Sequence, residues 1–197
     1  MTAGAELFTL HGFGGTRVQK IARQARANKA MISYYFGGKQ GLYQAILVDT
    51  FGAVEDRFET IRKAQDGADV RLRRFVDLLA SVASQRPAFA AMVLREVLSG
   101  GRQIDDRVWP LFLSVFRLVR DIVEQGVREG TFRRVDAFHT HLGLLGSVLF
   151  YFATVQFRQK LAAEGKLPVK LPRQDQYIRH IQDLMIRGLA RAESRRG

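Results

Sequence analysis

Thr16-Arg17-Val18-Gln19-Lys20-Ile21-Ala22-Arg23-Gln24-Ala25-Arg26-Ala27-Asn28-Lys29-Ala30-Met31-Ile32-Ser33-Tyr34-Tyr35-Phe36-Gly37-Gly38-Lys39 is the stretch that decides the architecture. Val18, Ile21, Ala22 and Ala25 recur at steps of three and four, the period of a helix with one apolar face. Thr16 suits its N-cap, with Gln19 three residues on completing a capping box. Arg26–Ala27 leaves room only for a tight connection. Asn28 can then cap a second helix, because its carboxamide oxygen can accept from the free amides of a first turn. That helix covers Lys29–Phe36 and ends at Gly37–Gly38, since glycine adopts left-handed dihedrals without steric cost. Ile32 and Phe36, four apart, hold it against Ile21 and Leu7, which leaves Lys29, Ala30, Ser33 and Tyr34 pointing outward.

The same period extends in both directions. Upstream, Ala5–His11 makes a short helix ended by Gly12. Downstream, a longer helix starts near Lys39 and runs to about Lys63. Further helices are expected over Asp69–Gln85 and over Pro87–Leu98. Another is capped by Asp105 or Asp106, with Pro110 in its first turn, and runs to Glu129. Asp136 caps one reaching about Ala163. After a loop over Gly165–Leu171, Gln174–Ala192 forms the last, with Ser194–Gly197 fraying. No alternating apolar run bounded by turns predicts a strand, and no internal repeat is visible. The expected fold class is all-α: a helix-turn-helix unit over residues 1–45, then a larger helical bundle over 46–197.

The chain has 197 residues, 47% hydrophobic and 25% charged, which excludes a disordered or fibrous class. It has no cysteine, which excludes disulfides, thiolate zinc sites and a cysteine nucleophile. Met1–Glu6 carries no signal pattern, and Leu142–Phe157, though apolar, falls short of the roughly 20 residues of a membrane span. The reading is a cytoplasmic protein that does not enter a membrane. The net charge is +12, which fits an anionic partner as well as a merely basic surface. Residues 1–45 hold Arg17, Lys20, Arg23, Arg26, Lys29 and Lys39 against Glu6 alone. Two short helices in that basic setting describe a helix-turn-helix, whose second helix enters a major groove about 12 Å wide.

Leu7-Phe8, Gly12 to Ala22, Ala25 and Ile32-Ser33-Tyr34-Tyr35-Phe36-Gly37-Gly38-Lys39-Gln40-Gly41-Leu42 together resemble the DNA-binding domain of TetR-family transcriptional regulators. The resemblance implies that Thr16 and Arg17 touch phosphates, and that Asn28, Lys29, Ala30 and Ser33 lie on the reading face. Tyr34 would contact the DNA backbone and Lys39 a phosphate, unless Lys39 is simply solvated. Tyr35 fits packing against Phe13 as well as it fits DNA. Three positions depart from the pattern. Arg26 stands where the turn usually has Gly, Ser33 replaces an aromatic, and Gly41 stands where Glu is usual.

In that family the remaining helices make a dimer and a ligand pocket. Gly143, Gly146 and Ser147, with Phe150 and Thr154, form a small-residue face on which two helices could approach closely. Tyr177, Ile181 and Leu184 lie on an apolar stripe of the last helix. These two faces are the expected dimer interface, with intramolecular packing as the alternative. Met92, Trp109, Phe112, Phe116, Arg117, His139 and Phe150 are the candidate pocket, although such stripes suit plain core equally. Arg117 could meet an anionic group or bridge Asp121. The effector expected is small and apolar or anionic. His139 and His141 are two apart, which makes no metal site. No phosphate loop, nucleophile elbow or catalytic set is present, so no enzyme activity, metal or cofactor is expected.

The sequence reading is therefore a homodimeric regulator of transcription, released from a palindromic operator on double-stranded DNA by its ligand, hence a repressor. The alternative is a DNA-associated helical protein whose C-terminal domain binds a protein partner and no effector.

Overall fold

Gly12 sits at φ 68°, ψ 175°, and interrupts the first helix where the sequence placed its end. The computed structural model describes residues 1–191. Helix α1 (Thr2–Gly15) begins earlier than expected and resumes for one turn beyond Gly12. Helices α2 (Val18–Gln24) and α3 (Lys29–Phe36) follow, and Gly37 closes α3 with a left-handed φ of 68°. Helix α4 (Lys39–Lys63) has the expected span.

The rest is helical as well: α5 (Ala68–Gln85), α6 (Pro87–Leu98), α7 (Trp109–Glu129), α8 (Ala137–Ala153), α9 (Val155–Ala163) and α10 (Gln174–Leu189). Pro87 and Pro110 occupy first turns, where a missing N–H costs nothing. Asp136 caps α8, its carboxylate accepting from the His139 amide at 2.7 Å. Among the described residues the one strand-like feature is an isolated antiparallel bridge, Phe132 to Ala190. The expected fraying of Ser194–Gly197 lies outside the described residues.

Two expectations need correction. Neither Asp105 nor Asp106 caps α7: its N-cap is Val108, and the Asp105 carboxylate instead accepts from the amide and guanidinium of Arg107. The helix from Asp136 does not continue to Ala163 either. It bends by 49° between α8 and α9. There the Thr154 hydroxyl donates to the Phe150 carbonyl at 2.6 Å, and Arg158 donates to the Tyr151 carbonyl at 2.7 Å. The Phe150 carbonyl also keeps the Thr154 amide at 3.1 Å, so the hydroxyl adds a second bond there, while the Arg158 side chain partners the Tyr151 carbonyl at the bend. No single helix among the described residues is long and apolar enough to cross a membrane.

Two apolar cores form. One gathers Leu7, Phe8, Ile21, Ile32, Leu42, Tyr43 and Leu47 from α1–α4. The other gathers Phe51, Phe58, Phe75, Val76, Leu118, Ile122, Leu144 and Val148 from α4, α5, α7 and α8. Each fully buried side chain of this size contributes about 1.5–3 kcal/mol. Helix α4 passes from the first core to the second between Leu47 and Phe51, so the boundary expected at residue 45 falls inside an unbroken helix. Met92 and Val108 reach back into the first core from the bundle. Arg71, 7% exposed, closes the far end of α4 by donating to the Ile61 carbonyl at 2.9 Å and the Arg62 carbonyl at 3.3 Å.

Candidate nucleic-acid interface

Helix α3 presents two unlike faces. Ile32 is buried at 6% exposure, whereas Lys29, Ala30, Met31, Ser33, Tyr34 and Tyr35 are exposed. The Asn28 carboxamide oxygen accepts from the Ala30 amide at 2.9 Å, which starts the helix as the sequence predicts. Arg17, Lys20, Arg23 and Arg26, on α2 and the connections at its two ends, are all exposed. Arg26 holds φ at 51°, the left-handed region its usual glycine would adopt freely. Tyr34 and Tyr35 meet edge to face with ring centres 5.1 Å apart.

Three expected residues sit differently. Thr16 is not an N-cap. It is 1% exposed, and its hydroxyl lies 3.0 Å from the Leu7 carbonyl and 2.7 Å from that of Gly12. These two carbonyls take up the buried hydroxyl, so it is not offered to a phosphate. Arg17 is the N-cap of α2, without a side-chain cap. Lys39 is half-buried, and its ammonium donates to the Phe13 carbonyl at 2.9 Å and the Thr16 carbonyl at 3.2 Å. Tyr35 does not pack on Phe13. The Phe13 ring stacks with Phe8 at 5.9 Å and meets Tyr43 edge-on at 5.3 Å, leaving Tyr35 at 67% exposure.

A polar joint that sequence reading missed ties this unit to the bundle. Glu96, 2% exposed near the end of α6, accepts from the Tyr43 hydroxyl at 2.9 Å and the Gln103 amide at 2.7 Å. Burial first, then this hydrogen bond, pushes the Tyr43 phenol above its ordinary range. Gln44, fully buried, donates to the Gln103 carbonyl. Tyr43 and Gln44 read in sequence as ordinary positions of α4; only a buried partner far along the chain makes them a joint.

On the bundle, Gly143, Gly146, Phe150 and Leu184 are exposed, Phe150 at 64% and Leu184 at 54%. Ile181 is not: it is buried at 5% within the chain. Tyr177 is half-buried, stacking on Tyr151 at 3.9 Å and donating to the Ser147 carbonyl at 2.9 Å. Tyr177 therefore joins α10 to α8 inside one subunit, through Tyr151 and the Ser147 carbonyl. Thr154 serves the α8–α9 bend.

The expected pocket residues do not converge. Arg117 is exposed, His139 has its side chain 83% exposed, and Phe150 faces outward. Arg120, not Arg117, bridges Asp121. Phe116 packs on Phe138 at 5.8 Å and His141 at 5.4 Å, while Phe112 fills space beside Phe51 at 4.9 Å. Trp109 is 46% exposed over Phe112. The two-sided apolar pattern of α7 reports packing, and aromatic rings close the interior between α4 and α7 to a cavity of about 20 Å³. Of that set Met92 alone lines a larger cavity, about 410 Å³, between α1, α4 and the α5–α6 corner.

A basic helix-turn-helix with one helix face outward, carried on a helical bundle, defines a DNA-binding regulator. Residues 1–46 match the family of bacterial regulatory proteins, tetR family, and residues 69–184 match the tetracyclin repressor-like C-terminal domain. This chain belongs to the TetR family of transcriptional regulators. It is 28% identical over 195 residues to the HTH-type transcriptional repressor NicS of Pseudomonas putida, covering 97% of this chain and 91% of that one. Its fold is similar to that of PfmR of Thermus thermophilus, with a TM-score of 0.75, 22% identity and coverage of 97% and 95%. FadR of Bacillus subtilis, solved in complex with stearoyl-CoA, also shares the fold, with a TM-score of 0.71, 16% identity and coverage of 95% and 96%.

Proposed function

We propose that the chain is a homodimeric repressor acting in the cytoplasm. Each copy lays α3 in one major groove of a near-palindromic operator, with Lys29, Ala30 and Ser33 toward the bases and Tyr34 toward the DNA backbone. Arg17 and the surrounding cations meet phosphates. The observation that carries the dimer is a stripe of exposed side chains at four-residue spacing on α8: Phe138 at 53%, Leu142 at 52%, Gly146, then Phe150 at 64%. Such a face is unfavourable in water, and a second copy covers it by two-fold symmetry.

The effector reading moves from the bundle interior to the cavity between α1, α4 and the α5–α6 corner. The 410 Å³ cavity is of ligand size, its walls are Ala5, Ile46, Leu47, Phe89 and Met92, and Arg86, paired with Asp49, stands at its lining. A small, mostly apolar or anionic molecule there would push α6 away from α1 and α4. It would release DNA only by binding the released state more tightly. The interior closed to about 20 Å³ favours the second reading, in which a protein partner takes the effector's place.

Selection of bound duplexes from a random pool, at about 150 mM salt with competitor DNA, tests DNA recognition. A two-fold symmetric site supports the proposal; no enrichment by folded protein overturns it. Small molecules that raise the thermal midpoint and release the selected duplex support the effector. Indifference to a broad panel supports the partner.

A further inference from the structure

The outward face of α3 offers few side chains that pair two-pronged with a base: Lys29 stands alone, with the single hydroxyls of Ser33 and Tyr34 beside it. Arg or Lys pairs two-pronged with guanine and Asn or Gln with adenine, while a Ser hydroxyl makes single bonds to either. In α3 there is no Arg and no Gln, and Asn28 turns its oxygen back to the Ala30 amide at 2.9 Å. Lys29 is the one cation in the first turn. Beside it stand two apolar groups, the Ala30 methyl and the Met31 thioether, with Met31 47% exposed. Ile32 and the half-buried Phe36 seat the helix on the first core, so Met31 is not needed for packing. An exposed methionine in the first turn of a reading helix faces the groove floor, because the N-terminal residues of such a helix approach the base edges.

The single apolar mark in a major groove is the C5-methyl of thymine. We propose that Ala30 and Met31 read thymine methyl groups, so that each half-site carries thymines opposite the start of α3, with Lys29 supplying a guanine contact beside them. This rests on the DNA-binding reading above. Apolar contact then carries part of the recognition, beside the polar contacts of Lys29 and Ser33. A duplex that keeps every hydrogen bond but loses the methyls binds more weakly.

Deoxyuridine differs from thymidine by that methyl alone, which gives the test. Affinity is measured for the selected operator and for the same duplex with deoxyuridine at the thymines opposite α3. Both are titrated with the full chain and with Met31→Ala and Lys29→Ala, after equal thermal midpoints are established. Each methyl removed should weaken the full chain about fourfold, as expected for burying one methyl-sized group. Met31→Ala should bind the thymine operator more weakly and lose the effect of deoxyuridine at the position Met31 covers. Lys29→Ala should bind more weakly yet keep the effect. Equal affinity of the full chain for both duplexes overturns the proposal. So does a deoxyuridine penalty left whole in Met31→Ala, since that would come from duplex shape. Absence of any selected site removes the DNA-binding reading itself, and is seen before deoxyuridine is introduced.

Discussion

The Lys39 ammonium donates to the Phe13 carbonyl at 2.9 Å and rides 4.3 Å above the centre of the Phe13 ring. A second bond, to the Thr16 carbonyl at 3.2 Å, ties the start of α4 to both ends of the α1–α2 connection. The charge sits where α1 ends, at the negative pole of its dipole. Lys39 is therefore a brace for the reading unit, with one N–H left for a phosphate.

That geometry separates Lys39 from Arg17. Lys39→Ala should lower stability by about 1–3 kcal/mol, the range for hydrogen bonds to charged groups, and weaken all DNA sequences alike. Arg17→Ala, at an exposed N-cap, should leave the thermal midpoint in place and reduce the salt slope of binding by about one. Melting curves and salt titrations of both variants check this. Equal midpoints for the two would remove the brace.

Arg26 carries its charge at the cost of backbone strain at φ 51°. A left-handed non-glycine residue costs about 1–2 kcal/mol, and glycine loses about 0.5–1 kcal/mol in chain entropy. Arg26→Gly should therefore stabilise the chain modestly, by up to about 1 kcal/mol, while lowering affinity for DNA of any sequence. Denaturant unfolding and a salt titration measure the two effects.

Gly41 lies where a Cβ would overlap the Phe36 carbonyl. Alanine gains about 1 kcal/mol in helix propensity over glycine, but overlap with backbone costs about 1–3 kcal/mol. Gly41→Ala should thus destabilise, and the shift of α3 against α4 should weaken operator binding more than non-specific binding. An unchanged midpoint with unchanged specificity would contradict the close approach.

Tyr43 and Glu96 give an alkaline signature. The folded phenol titrates above its unfolded value of about 10, so its contribution is whole below pH about 10 and declines as pH rises beyond that. Tyr43→Phe should cost about 1–3 kcal/mol near neutral pH, because the buried Glu96 loses a donor, and should flatten the loss of stability above pH about 10. Unfolding free energy measured from about pH 7 to about pH 11, either side of the ordinary phenol value, checks both.

The helix-turn-helix was legible because its signals are local. The Asn28 cap, the Gly37 stop and the Ile32–Phe36 spacing each lie within a turn or two of the residues they affect. The failures share a physical cause. Thr16 resembles a cap until the Leu7 and Gly12 carbonyls take up its hydroxyl. Phe112 and Phe116 resemble a ligand wall until Phe51, Phe138 and His141 arrive from other helices. The Thr154 bend and the Glu96 joint depend on partners that periodicity does not encode.

The most direct measurement is the affinity and mass of the complex on a symmetric operator and on one with a single half-site scrambled, at about 150 mM salt. Two chains should bind the symmetric duplex, and scrambling one half should cost on the order of 10²-fold or more, since each mismatched base pair costs about 1–3 kcal/mol. Phe150→Glu, on the exposed α8 stripe, should give a folded monomer with the same loss. One chain per duplex, or equal affinity for both duplexes, would contradict a dimer that reads two half-sites.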